Sequence, residues 1–280
     1  METTDWKNLP FGYIRTDYNV RCHYKDGKWG KLKVSSSEYI KVHIAATGLH
    51  YGQEAFEGLK AYMCRDGKIR LFRWEENAKR MMFSAEGIKM APVPVDLFKD
   101  AVFKAVTLNK KFVPPYGSGA TLYIRPLLYG SGAEVGVKPA TEYTFIVFVT
   151  PVGPYFKGGV KPVDMLICRD VDRAAPLGTG IFKVGGNYAA SLRAQIAAKE
   201  GGYSTSIFLD AKEKKYIKVM KEKMVDGLLY MSSSLDPEIL EYINDINMKT
   251  VLVESTEDEK TLPSVTIDNR QAAHEAVKLL

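Results

Sequence analysis

The sequence predicts a mixed α+β and α/β protein with two lobes, because strand-like runs and helical patterns alternate around one Pro- and Gly-rich stretch. Strands are predicted where short runs are apolar or alternate in polarity, at residues 121–129, 143–150, 163–168 and 204–210. The stretch "TPVGPYFKGG" at 150–159 is typical of a crossover between lobes. We therefore predict a smaller α+β lobe over 1–150, a linker over 151–160 and a larger lobe over 161–280.

Helices are predicted where apolar residues recur at intervals of three and four, at residues 77–90, 96–112 and 187–202. The last of these has Asn187 as its cap and the pair Gly201-Gly202 as its stop signal. The segment 48–62 places Tyr51, Ala55 and Gly58 near one face of a possible helix. Later patterns predict a helix at 234–246, a strand at 250–255 and a helix at 268–280.

Composition excludes several classes of protein. The 280 residues are 46% hydrophobic and 26% charged, as in ordinary soluble globular proteins. The net charge of +6 is mild and its basic residues lie among acidic ones, so we expect no nucleic-acid partner. No apolar run approaches the roughly 20 residues of a membrane span, and "METTDWKNLP" has no apolar signal core. Three scattered cysteines predict neither disulfides nor a metal site, so we expect a cytoplasmic protein.

Lys183 stands in the segment "TGIFKVGGNYAAS", residues 179–191, two residues before a pair of glycines. A surface loop, a phosphate site and a lysine held in a pocket to form a Schiff base would each use a lysine here. The segment is not a Walker loop, because no Ser or Thr follows the lysine and the glycines come after it. Tyr188 lies about one helical turn further on, so its hydroxyl is expected to approach the same pocket.

Arg125 lies within the predicted strand "LYIRPLLYG". Strand alternation puts Tyr123, Arg125 and Leu127 on one face of that strand. An arginine in this setting is either a structural ion-pair former or a carboxylate clamp, because a guanidinium binds carboxylates through two parallel hydrogen bonds. By default, Arg80 in "ENAKR" is a solvated helix residue.

Several of these motifs, in this order and spacing, resemble the branched-chain aminotransferases, a pyridoxal-phosphate family of fold type IV. The resemblance runs from about residue 5 to Tyr216. The segments that carry it are "LHYGQEAFEGLKAY", "LFRWEENAKRM", "YIRPLLYGSGAEVGV", "PVGPYFKGG", "RAAPLGTG" and "KVGGNYAAS". It implies a two-lobed fold in which the larger lobe binds pyridoxal 5'-phosphate.

The resemblance also implies roles for individual residues. Lys183 would form the Schiff base with the cofactor and then move a proton between the substrate and the cofactor. Tyr188 would bind the phenolic oxygen of the cofactor, and Arg80 its phosphate. Arg125 would bind the distal carboxylate of glutamate. The remaining side chains expected to line the substrate pocket are Tyr51, Phe56, Tyr123 and Tyr155.

The C-terminal part departs from the family. Val219 stands where the family has a glutamate that keeps the cofactor ring nitrogen protonated, with only Glu213 and Glu222 nearby in sequence. The segment "TLPSVTIDNRQ" resembles the family's phosphate-binding turn, which implies phosphate contacts from the backbone of Val265 and Thr266. The small-residue turn for the substrate α-carboxylate is not found before Leu280. The larger lobe is therefore expected to be altered or incomplete.

The resemblance implies amino transfer from leucine, isoleucine or valine to 2-oxoglutarate, in a homodimer in which Tyr51 serves the partner's site. A second hypothesis, favoured by the altered C-terminal part, is a non-catalytic descendant that binds the cofactor or a protein partner. A third is another fold type IV enzyme, related to D-amino-acid aminotransferases or aminodeoxychorismate lyases. "YIRPLLYG" and "PVGPYF" favour the branched-chain group over that third class.

Overall fold

The structure, a computed structural model, describes residues 5–154, 163–168, 171, 173–175, 177–208, 228–231, 243–244, 249–253 and 264–265. The chain forms two compact units, Met1–Leu209 and Asp210–Leu280. Most of the predicted linker at 151–160, most of the predicted helix at 234–246 and all of that at 268–280 lie outside the described residues.

The first unit is built on an eight-stranded antiparallel sheet with the order β2-β1-β8-β7-β5-β6, in which β3 pairs with β1 and β4 with β7. The strands are β1 Asn19–Lys25, β2 Lys28–Trp29, β3 Lys33–Ser35, β4 Glu54–Phe56, β5 Leu59–Met63, β6 Ile69–Leu71, β7 Thr121–Gly130 and β8 Tyr143–Val152. The central pair, β7 and β8, confirms the strands predicted at 121–129 and 143–150. Along β7, Leu122 and Ile124 are buried, while Tyr123 and Arg125 are partly exposed on the opposite face.

Two long helices cover the buried face of this sheet. They are α2 Trp74–Gly87 and α3 Val95–Leu108, followed by a 3-10 turn at Lys110–Phe112, and they confirm two of the predicted helices. Their buried residues recur at helical spacing: Ala78, Met81, Ser84 and Ala85 in α2, and Phe98, Ala101, Val102, Ala105 and Val106 in α3. These stripes pack with Phe145, Leu122 and Ile124 of the sheet into one core, as expected for amphipathic helices.

The structure contradicts the prediction of a possible helix at 48–62. The chain forms a single short helix, α1 Thr47–His50, and then turns at Gly52, whose φ of +60° is left-handed, before the strands β4 and β5. Burial there has a period of two, since Ala55, Glu57, Leu59 and Ala61 are buried in alternation. Both strands pair with β7, so backbone pairing with a long central strand overrides the local helical pattern.

The segment after the linker region contains a parallel pair of strands, β9 Met165–Cys168 and β10 Thr205–Phe208, which confirm the strands predicted at 163–168 and 204–210. Between them, the helix predicted at 187–202 is divided into α4 Gly185–Ala189 and α5 Leu192–Glu200. Asn187 lies inside α4 rather than at a cap. Gly201 is the cap of α5 at its C-terminal end and Gly202 has a φ of +78°, as predicted for a stop signal.

The second unit contains a three-stranded parallel sheet in the order β11-β12-β13. Its strands are β11 Leu228–Met231, β12 Thr250–Val253 and β13 Ser264–Val265, and β12 confirms the strand predicted at 250–255. Across the described ranges of both units, no helix combines the length and apolarity of a membrane span. No group of three His, Cys, Asp or Glu side chains in those ranges is arranged to hold a metal ion.

Candidate functional site

The backbone of Lys183 is fixed on both sides by the first unit. Its N–H donates to the hydroxyl of Ser84 on α2 at 2.9 Å, and its carbonyl accepts from the N–H of Phe56 on β4 at 3.1 Å. The next residue, Val184, forms an isolated bridge with Ala55. Buried Asn187 closes the loop by donating to the carbonyls of Thr179 and Phe182. The side chain of Lys183 therefore projects from an anchored backbone.

The amine of Lys183 lies between two aromatic rings. Nζ donates to the hydroxyl of Tyr188 at 2.6 Å. It also lies 4.3 Å from the ring centre of Phe56 and 4.6 Å from that of Tyr188, within the range of cation–π attraction. The two rings meet edge to face at 4.8 Å. The expected approach of Tyr188 to Lys183 is confirmed.

Arg125 also lies against the ring of Phe56. Its guanidinium carbon is 4.8 Å from the Phe56 ring centre and 5.2 Å from that of Tyr123, and its Nε donates to the Tyr123 hydroxyl at 3.1 Å. Glu54 attracts it electrostatically, but no carboxylate of the described ranges forms a salt bridge with it. Its two Nη groups can therefore receive a carboxylate from outside, which favours the clamp over the structural ion pair.

Arg80 is held by a buried carboxylate that the sequence analysis missed. Nε and Nη2 of Arg80 donate to Oε1 and Oε2 of Glu57 at 2.6 and 2.8 Å. The Glu57 hydrogen bond is the first cause that raises the pKa of Arg80. Arg80 is therefore not the freely solvated residue that its helical position suggests.

Glu54 is a second carboxylate that the sequence analysis did not identify. Burial raises its pKa, while a hydrogen bond from the Gly185 backbone and the charge of Arg125 oppose that rise. A Cβ on Gly185 would overlap Oε1 of Glu54, so glycine at this position lets the two segments approach. The sequence contained a signal for both glutamates, because Glu54 and Glu57 lie on either side of the apolar pair Ala55-Phe56.

Gly58 leaves room for Tyr123, and this predicts the effect of adding a methyl group. A Cβ at Gly58 would overlap the Tyr123 hydroxyl, which bonds Arg125. We expect Gly58→Ala to lower the free energy of unfolding by about 1–3 kcal/mol, as overpacking does. Urea denaturation measures the change.

The matched control for this change is Gly186→Ala, because no atom lies within 4 Å of a Cβ built there. This variant is expected to stay within about ±0.5 kcal/mol of the parent. A Gly58→Ala protein as stable as the Gly186→Ala protein would show that Tyr123 is free to move aside.

Tyr51 makes none of the contacts that define this cluster. The Tyr51 hydroxyl donates to the carbonyl of Val135. Val265 ends β13 in the second unit. The other predicted residues lie outside the described residues; they are Tyr155, Glu213, Val219, Glu222 and Thr266. Their predicted roles stay predictions.

The site contains groups suited to bind a carbonyl compound that has anionic substituents. A lysine amine beside a phenol suits covalent capture of an aldehyde or ketone. Two arginines, each with N–H groups that face away from their protein partners, suit a phosphate and a carboxylate. Phe56 and Tyr123 supply apolar surface between these groups.

Comparisons with known proteins agree with this chemistry. The family model described as amino-transferase class IV matches residues 54–215. A branched-chain-amino-acid aminotransferase of Haemophilus influenzae is 51% identical over 217 residues, which are 76% of this chain and 63% of that protein. One of Helicobacter pylori is 43% identical over 254 residues, 90% of this chain and 75% of that protein. The chain thus spans just under two thirds of the length of the Haemophilus relative.

A solved structure shows the same fold. The branched-chain aminotransferase of Thermoproteus uzoniensis, determined with norvaline, has a TM-score of 0.54 at 25% identity, over 69% of this chain and 61% of that one. The likeness confirms the predicted fold class, a mixed α+β fold of type IV.

A second family model matches the C-terminal part. It describes the periplasmic binding proteins and sugar binding domain of the LacI family, and it matches residues 194–280. That range overlaps the first match at its start and contains Val219, Val265 and Thr266, as well as the parallel sheet of the second unit. The Helicobacter alignment, which covers 90% of the chain, also extends past residue 215. Part of the range 216–280 therefore resembles two different families.

Proposed function

Because the chain belongs to the class IV aminotransferase family, we propose that it transfers the amino group of leucine, isoleucine or valine to 2-oxoglutarate with pyridoxal 5'-phosphate. The observation that carries the proposal is the cluster of Lys183, Tyr188, Phe56 and Arg125. This cluster supplies an amine for the cofactor and, beside it, a cation for the second substrate. The family match covers residues 54–215. The proposal extends from family membership over that range to the complete amino-transfer reaction.

The described residues fit this cofactor. Lys183 would hold its aldehyde carbon, Tyr188 its phenolic oxygen, and Arg80 its phosphate. When bound, pyridoxal phosphate withdraws electrons from the substrate Cα and so makes its proton removable. The 2.6 Å hydrogen bond between Nζ and the Tyr188 hydroxyl supports the pairing of the first two roles, and the N–H groups of Arg80 that Glu57 does not use support the third.

The chain's own residues then have distinct tasks. Lys183 holds and moves the proton at Nζ, and the rings of Phe56 and Tyr188 orient that amine. Arg125 binds the distal carboxylate of 2-oxoglutarate and glutamate through its free Nη groups. Phe56 and Tyr123 offer apolar surface to a branched side chain in the same space, so one pocket accepts both kinds of substrate.

We further propose a homodimer whose interface includes Tyr51. Four apolar side chains near it are strongly exposed: Ile44 at 82%, Leu49 at 64%, Val135 at 79% and Val137 at 88%. Their two loops are joined by the Tyr51 hydroxyl and by a 2.9 Å bond from the Glu134 N–H to the Ala45 carbonyl. A contiguous apolar surface of this kind is typical of a protein interface. A cytoplasmic location is proposed from the three free cysteines.

A non-catalytic descendant is the second candidate, and the match of residues 194–280 to a binding-protein family favours it. In such a protein the Lys183 cluster would bind the cofactor, but Val219, in place of the family's glutamate, would not keep the ring nitrogen protonated. The third candidate, a D-amino-acid aminotransferase or aminodeoxychorismate lyase, has no comparable support from the described site.

Amino transfer tests these candidates directly. Purified protein with saturating pyridoxal phosphate, leucine and 2-oxoglutarate is expected to form glutamate and 4-methyl-2-oxopentanoate in equal amounts, measured by chromatography. D-alanine replaces leucine in a parallel reaction. Product from D-alanine alone would establish a D-amino-acid aminotransferase, and cofactor bound without any product would contradict amino transfer from either amino acid.

A further inference from the structure

The side chain of Glu57 is the most deeply buried charge of the candidate site. It lies in the turn between β4 and β5 and is fully buried, with 0% of its surface exposed. Its own N–H donates to the carbonyl of Pro126 on β7 at 2.8 Å, which fixes the turn to the central sheet. An isolated buried carboxylate is strongly unfavourable. Glu57 therefore requires hydrogen-bond and ion-pair partners within the site.

The carboxylate is fully satisfied by hydrogen bonds. Arg80 donates two of them, at 2.6 and 2.8 Å. The side-chain amide of Asn77 donates to Oε2 at 2.8 Å, and the Gly58 N–H donates to the same oxygen at 3.2 Å. Asn77 and Arg80 lie three residues apart on one face of α2. Glu57 therefore links the sheet to this helix at a defined point.

The two partners of the ion pair are unequally exposed, since the side chain of Arg80 is 52% exposed and that of Glu57 is 0%. The buried carboxylate thus sets the position of the more exposed guanidinium. It uses the Nε–H and one Nη2–H of the five donors that an arginine carries. The edge formed by Nη1 and the second Nη2 proton has no hydrogen-bond partner among the described residues. That edge can receive a second anion through two hydrogen bonds.

We propose that Glu57 is a positioning residue that presents this free edge of Arg80 to the phosphate of pyridoxal phosphate. The inference rests on the proposed function, because that function supplies the phosphate. It adds a residue that the resemblance did not identify. Glu57 thereby brings a negative charge close to a bound phosphate and still strengthens its binding.

The direction in which the affinity for pyridoxal phosphate changes distinguishes a positioning role of Glu57 from a simple effect of its charge. Glu57→Gln removes one negative charge and keeps the size of the side chain. If only charge mattered, the variant would bind phosphate more tightly. If Glu57 positions Arg80, the dissociation constant for pyridoxal phosphate rises about tenfold or more, the scale of a charge-assisted hydrogen bond. The constant for pyridoxal, which lacks the phosphate, stays within about twofold, since no contact to it is changed.

Absorbance titration of the purified protein with pyridoxal phosphate and with pyridoxal measures both constants. Glu76→Gln is the matched control, because it makes the same charge change on the exposed face of α2, where Glu76 pairs with Lys79. It is expected to leave both constants unchanged. Arg80→Lys keeps the positive charge but cannot bridge two anions, so it is expected to reproduce the effect of Glu57→Gln, and the double variant should be no worse than either.

Several results would overturn the proposal. The first is that Glu57→Gln binds pyridoxal phosphate as tightly as the parent or more tightly. The second is that Glu57→Gln loses the same affinity for both ligands, which would show that Glu57 is a purely structural residue. If Glu57→Gln does not fold, Glu57→Asp, which retains the buried charge but withdraws it from Arg80, is expected to show the same phosphate-specific loss. If the parent protein binds both ligands equally, the phosphate contributes nothing to binding. This would refute the proposed role of Glu57 but not the proposed function. A parent that binds neither would refute the proposed function as well.

Discussion

Replacing Lys183 by alanine is expected to abolish covalent attachment of pyridoxal phosphate and to lower leucine–2-oxoglutarate turnover by at least about 10²–10⁴-fold, the contribution of a positioned acid–base group. No described neighbour can take its place, because its amine is the one that lies against both Phe56 and Tyr188. Reduction with borohydride followed by peptide mass spectrometry measures attachment. In the parent, the added mass is expected on the peptide that contains Lys183.

The matched control is Lys199→Ala, which removes an exposed lysine from the last turn of α5. It should keep both the attachment and the turnover of the parent. Added mass on another lysine in the parent, or retained turnover in Lys183→Ala, would contradict the assignment. Circular dichroism of the variants shows whether a loss reflects chemistry or folding, and the backbone bonds of residue 183 to Ser84 and Phe56 predict that the fold is retained.

Three consecutive residues organise the basic side chains of the site. The ring of Phe56 contacts both Lys183 and Arg125. Glu57 binds Arg80, and Gly58 leaves space for the hydroxyl of Tyr123. The sequence "FEG" at 56–58 therefore fixes one apolar contact, one buried charge and one close approach. This explains why a turn between two short strands carries so much of the proposed function.

The sequence predicted the parts of the fold whose periodicity is long and unambiguous. The strands β7 and β8 and the helices α2 and α3 each present ten or more residues of one pattern. The proximity of Lys183 and Tyr188 followed from the pitch of one helical turn. The pairing of Tyr123 with Arg125 followed from strand alternation, because both contacts are local in sequence.

The parts that sequence reasoning missed depend on contacts between distant segments. The strands β4 and β5 are short, and their pairing with β7 decides their conformation. Glu57 is a charge in the core, and its partner Arg80 lies 23 residues away on α2. A period-two pattern assigns Glu57 to the buried face, but ordinary burial preferences place a glutamate outside. Only the position of α2 over the turn resolves this conflict.

Arg125 is expected to control which substrates the protein accepts. Arg125→Ala removes the guanidinium that lies against Phe56 and Tyr123 and leaves the apolar surface of both rings. Use of glutamate should therefore fall by roughly ten- to a hundredfold relative to use of leucine, since a charge-assisted hydrogen bond contributes about 1.5–3 kcal/mol. The ratio of kcat/KM for glutamate and leucine, each with an appropriate 2-oxo acid, measures the change.

Two further variants separate a carboxylate clamp from a general support of the pocket. Arg70→Ala removes an arginine that binds Asp66 through two hydrogen bonds at the exposed β5–β6 turn, and it should leave the ratio unchanged. Arg125→Lys keeps the charge but loses the two-pronged geometry, so its ratio should lie between those of the parent and Arg125→Ala. Equal losses for glutamate and leucine would instead mean that Arg125 supports Tyr123, through the bond from its Nε, and does not bind substrate. Because that bond engages Nε alone, the free Nη groups make the unequal loss the expected result.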